Sequence, residues 1–202
     1  MAQLDEASIR QDPYDQLQQW ITTAFECDAI DEPSAMTVAT VNENGQPSIR
    51  TVLARQFDRG GIVFFTNYSS RKGKDLAQNS SVAALFYWGP LERQIRIEGT
   101  AQRVSSEISD TYFASRPHGS KIAALLSHQS EQISDRAFLE KGFEALLQQY
   151  PDGADVPRPD DWGGYKITPT LFEFWQGRPS RLHDRIQYQL NGTTWVINRL
   201  SP

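Results

Sequence analysis

The chain has 202 residues, 39% of them hydrophobic and 22% charged, which suits one domain with a sizeable core and excludes long disorder. Its 25 acidic and 20 basic residues give a net charge of -5, excluding the broad basic face of a nonspecific nucleic-acid binder. The longest apolar run, residues 82–88, is too short to span a bilayer, and the start lacks a signal peptide's basic and apolar segments, so a cytoplasmic location is expected.

In chain order, residues 13–28 place Tyr14, Leu17, Trp20, Ile21, Ala24 and Phe25 at helical spacing behind Asp12-Pro13, predicting an amphipathic helix in which the lone Cys27 is buried. Residues 36–41 and 47–56 flank the turn sequence Asn42-Glu43-Asn44-Gly45 and predict a hairpin. After a second turn at 58–61, strands are expected at 62–66, 82–88 and 91–104, with a helix at 69–78. Helical patterns follow at 105–114, 121–126 and 135–149. The Pro-, Asp- and Gly-rich stretch 151–162 predicts a loop before strands at 171–175, 185–190 and 194–198, the last two joined at Asn191-Gly192. Short antiparallel strands interrupted by helices favour a mainly β protein, a closed or split barrel with flanking helices.

The 15 Arg against 5 Lys point to localised anion sites on an acidic body, because a guanidinium captures phosphate or carboxylate through two parallel bonds. Ser69-Ser70-Arg71-Lys72 opens a predicted helix, where free N–H groups, hydroxyls and two cations make either a phosphate cradle or an ordinary capped basic turn. Arg50 and Arg55 are five apart, so a regular strand points them to opposite sides, toward two different anions. Tyr112, Arg116 and Ser120 are spaced by four and share a face if the helix continues, although Pro117 and Gly119 oppose that. In 181–185, strand alternation puts Arg181, His183 and Arg185 on one face, meeting an anion or charging a solvated edge. Two such clusters suit two phosphorylated small molecules, with Trp175, Gln94, Gln129 and Ser130 supplying a flat surface and polar groups for a ring. The three histidines lie at no metal-ligand spacing and no metal is expected; no P-loop, G-x-G-x-x-G or G-x-S-x-G is present.

The ordered run of these segments, with Phe64-Phe65-Thr66-Asn67, Leu91-Glu92-Arg93-Gln94, Trp162-Gly163-Gly164 and Phe174-Trp175-Gln176-Gly177, resembles the pyridoxamine 5'-phosphate oxidases of the FMN-binding split-barrel proteins over nearly the whole chain. The resemblance implies a single antiparallel FMN-binding split β-barrel domain over 1–202, with helix 13–28 and C-terminal substrate and dimerisation strands at about 171–202. It implies a homodimer with FMN contacted by Arg50, Thr51, Val52, Leu53, Phe65, Thr66, Arg71, Lys72, Gln94, Gln129, Ser130, Trp175 and Arg185. Substrate phosphate would fall to Arg55, Tyr112, Arg116 and Ser120, with Arg181 and His183 over the substrate ring as the catalytic pair. The implied reaction oxidises pyridoxamine or pyridoxine 5'-phosphate to pyridoxal 5'-phosphate, passing a hydride to the flavin and then electrons to dioxygen. His183 is assigned proton removal or an orienting hydrogen bond. The chain departs from the family at Arg55, where Lys is usual, and in starting close to Asp12-Pro13 without the basic, Tyr-containing lid segment of many members. A flavin reductase, a deazaflavin-dependent oxidase or a noncatalytic cofactor store on the same barrel are the alternatives.

Overall fold

The computed structural model describes residues 4–202; residues 1–3, part of the start read for a signal peptide, lie outside it. Helix α1 (Pro13–Phe25) is capped by Asp12, whose side chain accepts the Tyr14 N–H, an interaction generally worth about 1 kcal/mol. Its apolar stripe of Leu17, Trp20, Ile21 and Ala24 is buried, with Trp20 edge-on to Phe174. The helix stops short of the predicted residue 28. Glu26 is the C-cap and Asp28 follows, acidic residues opposed by the negative end of the helix dipole, and Cys27 is only half-buried beyond that end.

Strands β1 (Ala35–Val41), β2 (Pro47–Asp58) and β3 (Gly61–Asn67) follow, with helix α2 (Arg71–Gln78) leading to β4 (Ser81–Trp88) and β5 (Arg93–Arg103). The β1–β2 turn is where the sequence places it, with Gly45 at a φ of 78° that glycine adopts freely. Helices α3 (Ser106–Ser115), α4 (His118–Leu126) and α5 (Arg136–Gln149) precede β6 (Trp162–Gln176), β7 (Asp184–Asn191) and β8 (Thr194–Arg199). All pairings are antiparallel, in the order β3-β2-β1-β4-β5-β6-β7-β8, and a further pairing of β3 with β6 closes six strands into a barrel. Mainly β with flanking helices, and a split barrel, is the observed architecture. Among the described residues no helix is long and apolar enough to cross a membrane.

Strand β6 is where the barrel splits. Its first part, 162–167, pairs with β3, its last part, 171–176, pairs with β7, and β5 runs beside both. Sequence reading places a loop at 151–162 and a strand only at 171–175; in the structure the strand already begins at Trp162 and runs through Gly163, Gly164 and Pro169. The glycines allow close packing: a Cβ at Gly163 would overlap the Tyr68 hydroxyl, and one at Gly164 would sit 2.7 Å from Val104 Cγ2. Between Glu98–Leu171 and Gly99–Pro169 the register shifts, leaving Thr170 as the extra residue where β6 changes partner. At Gly99 a Cβ would be driven into the backbone carbonyl of Thr168, which cannot rotate away. Gly99→Ala is therefore expected to lower stability by about 2–3 kcal/mol, read as a lower urea midpoint with an unchanged m-value.

The core is formed by inward residues of both parts, including Met36, Val38, Phe64, Phe86, Ile95, Ile97, Tyr165, Ile167, Phe172, Phe174, Ile186 and Tyr188. A second cluster, Phe113, Ile122, Val156 and Trp162, fixes α3 and α4 against the start of β6.

Candidate functional site

A groove of about 1040 Å³ opens between β2, the end of β3, the start of α2, the α3–α4 corner and the segment after α4. Its lining brings together Arg50, Thr51, Val52, Leu53, Arg55, Phe65, Thr66, Arg71, Lys72, Tyr112, Arg116, Ser120, Gln129 and Ser130. Residues as far apart in sequence as Arg50 and Ser130 thus share one wall system, and its cations fall into two groups.

One group lies at the start of α2. Ser70 is the N-cap, its hydroxyl accepting the Gly73 N–H and donating to the Asn67 carbonyl. Lys72 is buried, and Nζ donates to Thr66 Oγ1 (2.8 Å), Ser70 Oγ (3.1 Å) and Gln129 Oε1 (2.7 Å). These acceptors are all neutral. Burial first and the nearby Arg50 charge second lower the Lys72 pKa to about 8. Arg50 in turn feels burial, which lowers its pKa, Asp75, which raises it, and Arg71, which lowers it. Three cations therefore converge beside the free N–H groups of a helix start, an arrangement suited to a phosphate dianion.

The other group sits at the α3–α4 corner. Phe65 stacks on Tyr112 with centroids 3.9 Å apart and on Trp162 at 5.6 Å, making an aromatic wall. The Arg116 guanidinium lies 4.7 Å from the Trp162 ring centre. Among the described residues Arg116 Nη1 is buried without a hydrogen-bond partner, and burial is the leading influence lowering its pKa, with Arg55 acting the same way. Helix α3 ends at Ser115 and Pro117 precedes α4, so Arg116 and Ser120 do not share a helix face with Tyr112; the corner between two helices brings them together instead.

Arg50 and Arg55 also depart from the alternation argument. The β2–β3 register shifts between Ala54 and Gln56, leaving Arg55 at a bulge, and both arginines line the same groove. They still belong to different cation groups, Arg50 with Lys72 and Arg55 with Arg116.

Gln94, Trp175, Arg181, His183 and Arg185 do not line this groove. Gln94 pairs with Trp175 across β5–β6, and Trp175 with Arg185 across β6–β7, making one row on the sheet face opposite Ile95, Phe174 and Ile186. The expected union of Trp175 and Gln94 with Gln129 and Ser130 is therefore absent within one chain. Arg181 and His183 are not strand residues: a 3-10 turn spans Pro179–Arg181, Ser180 and Arg181 have φ near 60°, and β7 begins at Asp184. Period-2 alternation cannot hold across left-handed residues. His183 nevertheless reaches the row, its ring 4.7 Å from Trp175, and its Nδ1 accepts the Arg178 backbone N–H at 3.1 Å. Arg185 is held by Glu173 Oε1 at 2.9 Å.

A family profile described as pyridoxamine 5'-phosphate oxidase matches residues 24–150, and one described as the pyridoxine 5'-phosphate oxidase C-terminal dimerisation region matches 162–202. The chain belongs to the pyridoxamine 5'-phosphate oxidase family. Relatives named pyridoxine/pyridoxamine 5'-phosphate oxidase include one from Burkholderia ambifaria, 52% identical over 204 residues, covering 100% of this chain and 94% of the relative. Another, from Cyanothece sp., is 50% identical over 199 residues, covering 98% and 92%. Among solved structures, PhzG from Burkholderia lata, in complex with tetrahydrophenazine-1-carboxylic acid, superposes with a TM-score of 0.91 at 31% identity, over 97% of this chain and 95% of that one. A pyridoxamine 5'-phosphate oxidase-related, FMN-binding protein from Nostoc punctiforme shares the fold, with a TM-score of 0.78 at 16% identity over 96% and 100%. Within this family member, sequence reasoning gave Trp162 no site role, although its ring backs Arg116. A Trp-Gly-Gly triplet at the end of an apparent loop was the available signal. Asp75, buried behind Arg50, left no signal at all.

Proposed function

We propose that the chain is an FMN-dependent oxidase converting pyridoxamine 5'-phosphate and pyridoxine 5'-phosphate to pyridoxal 5'-phosphate, with dioxygen reduced to hydrogen peroxide. The observation that carries this reading is one groove with two separate cation groups, one capped by a helix start and one ending in a buried, unpartnered guanidinium nitrogen. That donor set fits two phosphate monoesters. Arg50, Arg71 and Lys72 would hold the FMN phosphate, with Thr66, Gln129 and Ser130 beside it; Arg55, Tyr112, Arg116 and Ser120 would hold the substrate phosphate. Bound FMN supplies the two-electron acceptor for the substrate carbon and passes the electrons to dioxygen.

The row of Gln94, Trp175 and Arg185, with Arg181 and His183, supports a homodimer in which a second copy presents it to the groove. The dimerisation-region match over 162–202 favours this, as do exposed Ile49 and Tyr87 on the same open sheet face. In that arrangement His183 acts as a donor. Its Nδ1 already accepts a backbone N–H, so the neutral ring carries its proton on Nε2 and orients substrate through that N–H. His183→Asn is expected to leave the pH dependence of turnover unchanged; loss of one limb of the pH profile would assign the ring proton transfer instead.

Anaerobic mixing with pyridoxamine 5'-phosphate is expected to bleach the yellow holoprotein. Bleaching only by a nicotinamide donor would indicate a reductase, and no bleaching by either a noncatalytic store. The PhzG likeness favours one second reading, oxidation of a reduced tricyclic carboxylate, which the same assay tests with tetrahydrophenazine-1-carboxylic acid. For the dimer, at a pyridoxamine 5'-phosphate concentration that saturates the wild type but lies far below the KM of Arg116→Ala, mixing that variant with inactive His183→Ala/Arg181→Ala protein is expected to restore about one quarter of wild-type activity, since half the dimers then hold one intact site. No recovery after subunit exchange would place both half-sites in one chain.

A further inference from the structure

Asp75 lies on α2, buried, behind the groove wall. Its Oδ2 accepts the Thr40 hydroxyl at 2.6 Å and the Ser48 hydroxyl at 3.1 Å, and stands 3.9 Å from Arg50 Nη2. Each hydroxyl also accepts from the guanidinium: Arg50 Nη1 donates to Thr40 Oγ1 (2.7 Å) and Nη2 to Ser48 Oγ. Nη1 donates once more, to the Val38 carbonyl at 3.2 Å. The directions of the bonds to Asp75 and from Arg50 are thereby fixed, and with both hydroxyl protons so used the 3.3 Å approach of Thr40 Oγ1 to Ser48 Oγ carries no proton. A carboxylate only accepts, so both hydroxyl protons turn to Asp75 and both oxygens offer lone pairs to Arg50. These bonds use three of the five guanidinium donors and leave, among the described residues, the Nε side and one Nη2 hydrogen for the groove.

Resting on the FMN reading above, we infer that Asp75 is a positioning residue for cofactor phosphate: through Thr40 and Ser48 it sets the rotation of the Arg50 guanidinium so that its remaining donor edge faces the anion. The carboxylate touches no ligand. It works as the far end of a carboxylate, hydroxyl, guanidinium chain joining α2, β1 and β2, which together with the Val38 carbonyl keeps Arg50 in one orientation.

Asp75→Asn keeps the size but removes the charge from the one atom position that accepts both hydroxyls: with the amide oxygen there both hydroxyls keep only a weaker, neutral acceptor, and with the NH2 group there both hydroxyl protons turn away and toward Arg50, so the chain is weakened or broken at that link. The test titrates cofactor-stripped wild-type and variant proteins with FMN and with riboflavin, which lacks the phosphate, by flavin fluorescence. The expected result is an FMN affinity about tenfold weaker in Asp75→Asn with riboflavin affinity unchanged. In a cycle with Arg50→Ala, the second substitution is expected to add almost nothing, since both act on one contact. Equal losses for FMN and riboflavin, or additive effects with Arg50→Ala, would make Asp75 a support of the barrel and overturn the inference. Unchanged FMN affinity would overturn it as well. Should Asp75→Asn fail to fold, Thr40→Val removes one link while keeping the carboxylate, and a selective loss for FMN, smaller than tenfold, is expected there; no selectivity overturns the proposal. Wild-type protein that binds neither flavin would instead overturn the FMN reading itself.

Discussion

Arg116→Ala is expected to raise the KM for pyridoxamine 5'-phosphate on the order of 100-fold while changing kcat much less and leaving FMN affinity within twofold. The reason is the state of the guanidinium before ligand arrives. It rests against Trp162 with Nη1 already buried and unbonded, so its desolvation has been met by folding and an arriving phosphate oxygen is its first acceptor. A charge-assisted bond formed under those conditions is worth about 2–3 kcal/mol, which corresponds to about 30- to 150-fold in affinity. Removing an unsatisfied donor also removes its cost to the fold, so the variant is expected to melt no lower than wild type. Arg116→Lys restores the charge but not the planar contact with Trp162, and should recover only part of the KM. Steady-state kinetics with a thermal melt checks all three; an Arg116→Ala protein that loses FMN rather than substrate affinity would exchange the roles of the two cation groups.

Lys72→Met is expected to weaken FMN binding on the order of 100-fold and to abolish a pH dependence present in the wild type. With only neutral acceptors around it, the ammonium titrates near 8 in the ligand-free protein, and a phosphate dianion supplies the missing countercharge and raises that value. Binding therefore takes up a proton above pH 8, and wild-type affinity should fall toward tenfold per pH unit there. The sign for stability is the opposite. The folded-state pKa is below the unfolded one, so the cost of burying the charge is fully present below about 8 and relieved as pH rises toward 10.5. The ligand-free protein should gain stability across the window in which it loses cofactor. Urea melts and FMN titrations at pH 7, 8 and 9 measure both trends.

Local chemistry was the legible part of the sequence. The Ser70 cap, the Asn42–Gly45 turn and the Asn191-Gly192 turn each depend on neighbours within a few positions, and each lies where the residues indicate. The orientation of Arg55 was not legible, because it depends on a bulge in the β2–β3 pairing rather than on β2 alone. Nor was the closing half of β6, whose glycines look like breakers until Tyr68 and Val104 are seen pressed against them. The family resemblance grouped Trp175 and Arg185 with the flavin-contacting residues, yet one chain keeps them apart from the groove, since their row belongs to the sheet beyond the split.

The partner change along β6 has a consequence for biosynthesis. Thr66 waits for Gly163 to complete the barrel, so during translation β3 is finished nearly a hundred residues before its second neighbour leaves the ribosome. Through that interval the nascent chain carries an open, apolar strand margin, the kind of surface on which chains pair with one another. Premature termination before residue 162 is thus expected to yield aggregates rather than a smaller folded unit, and chaperone demand during synthesis should end only when β6 has been added.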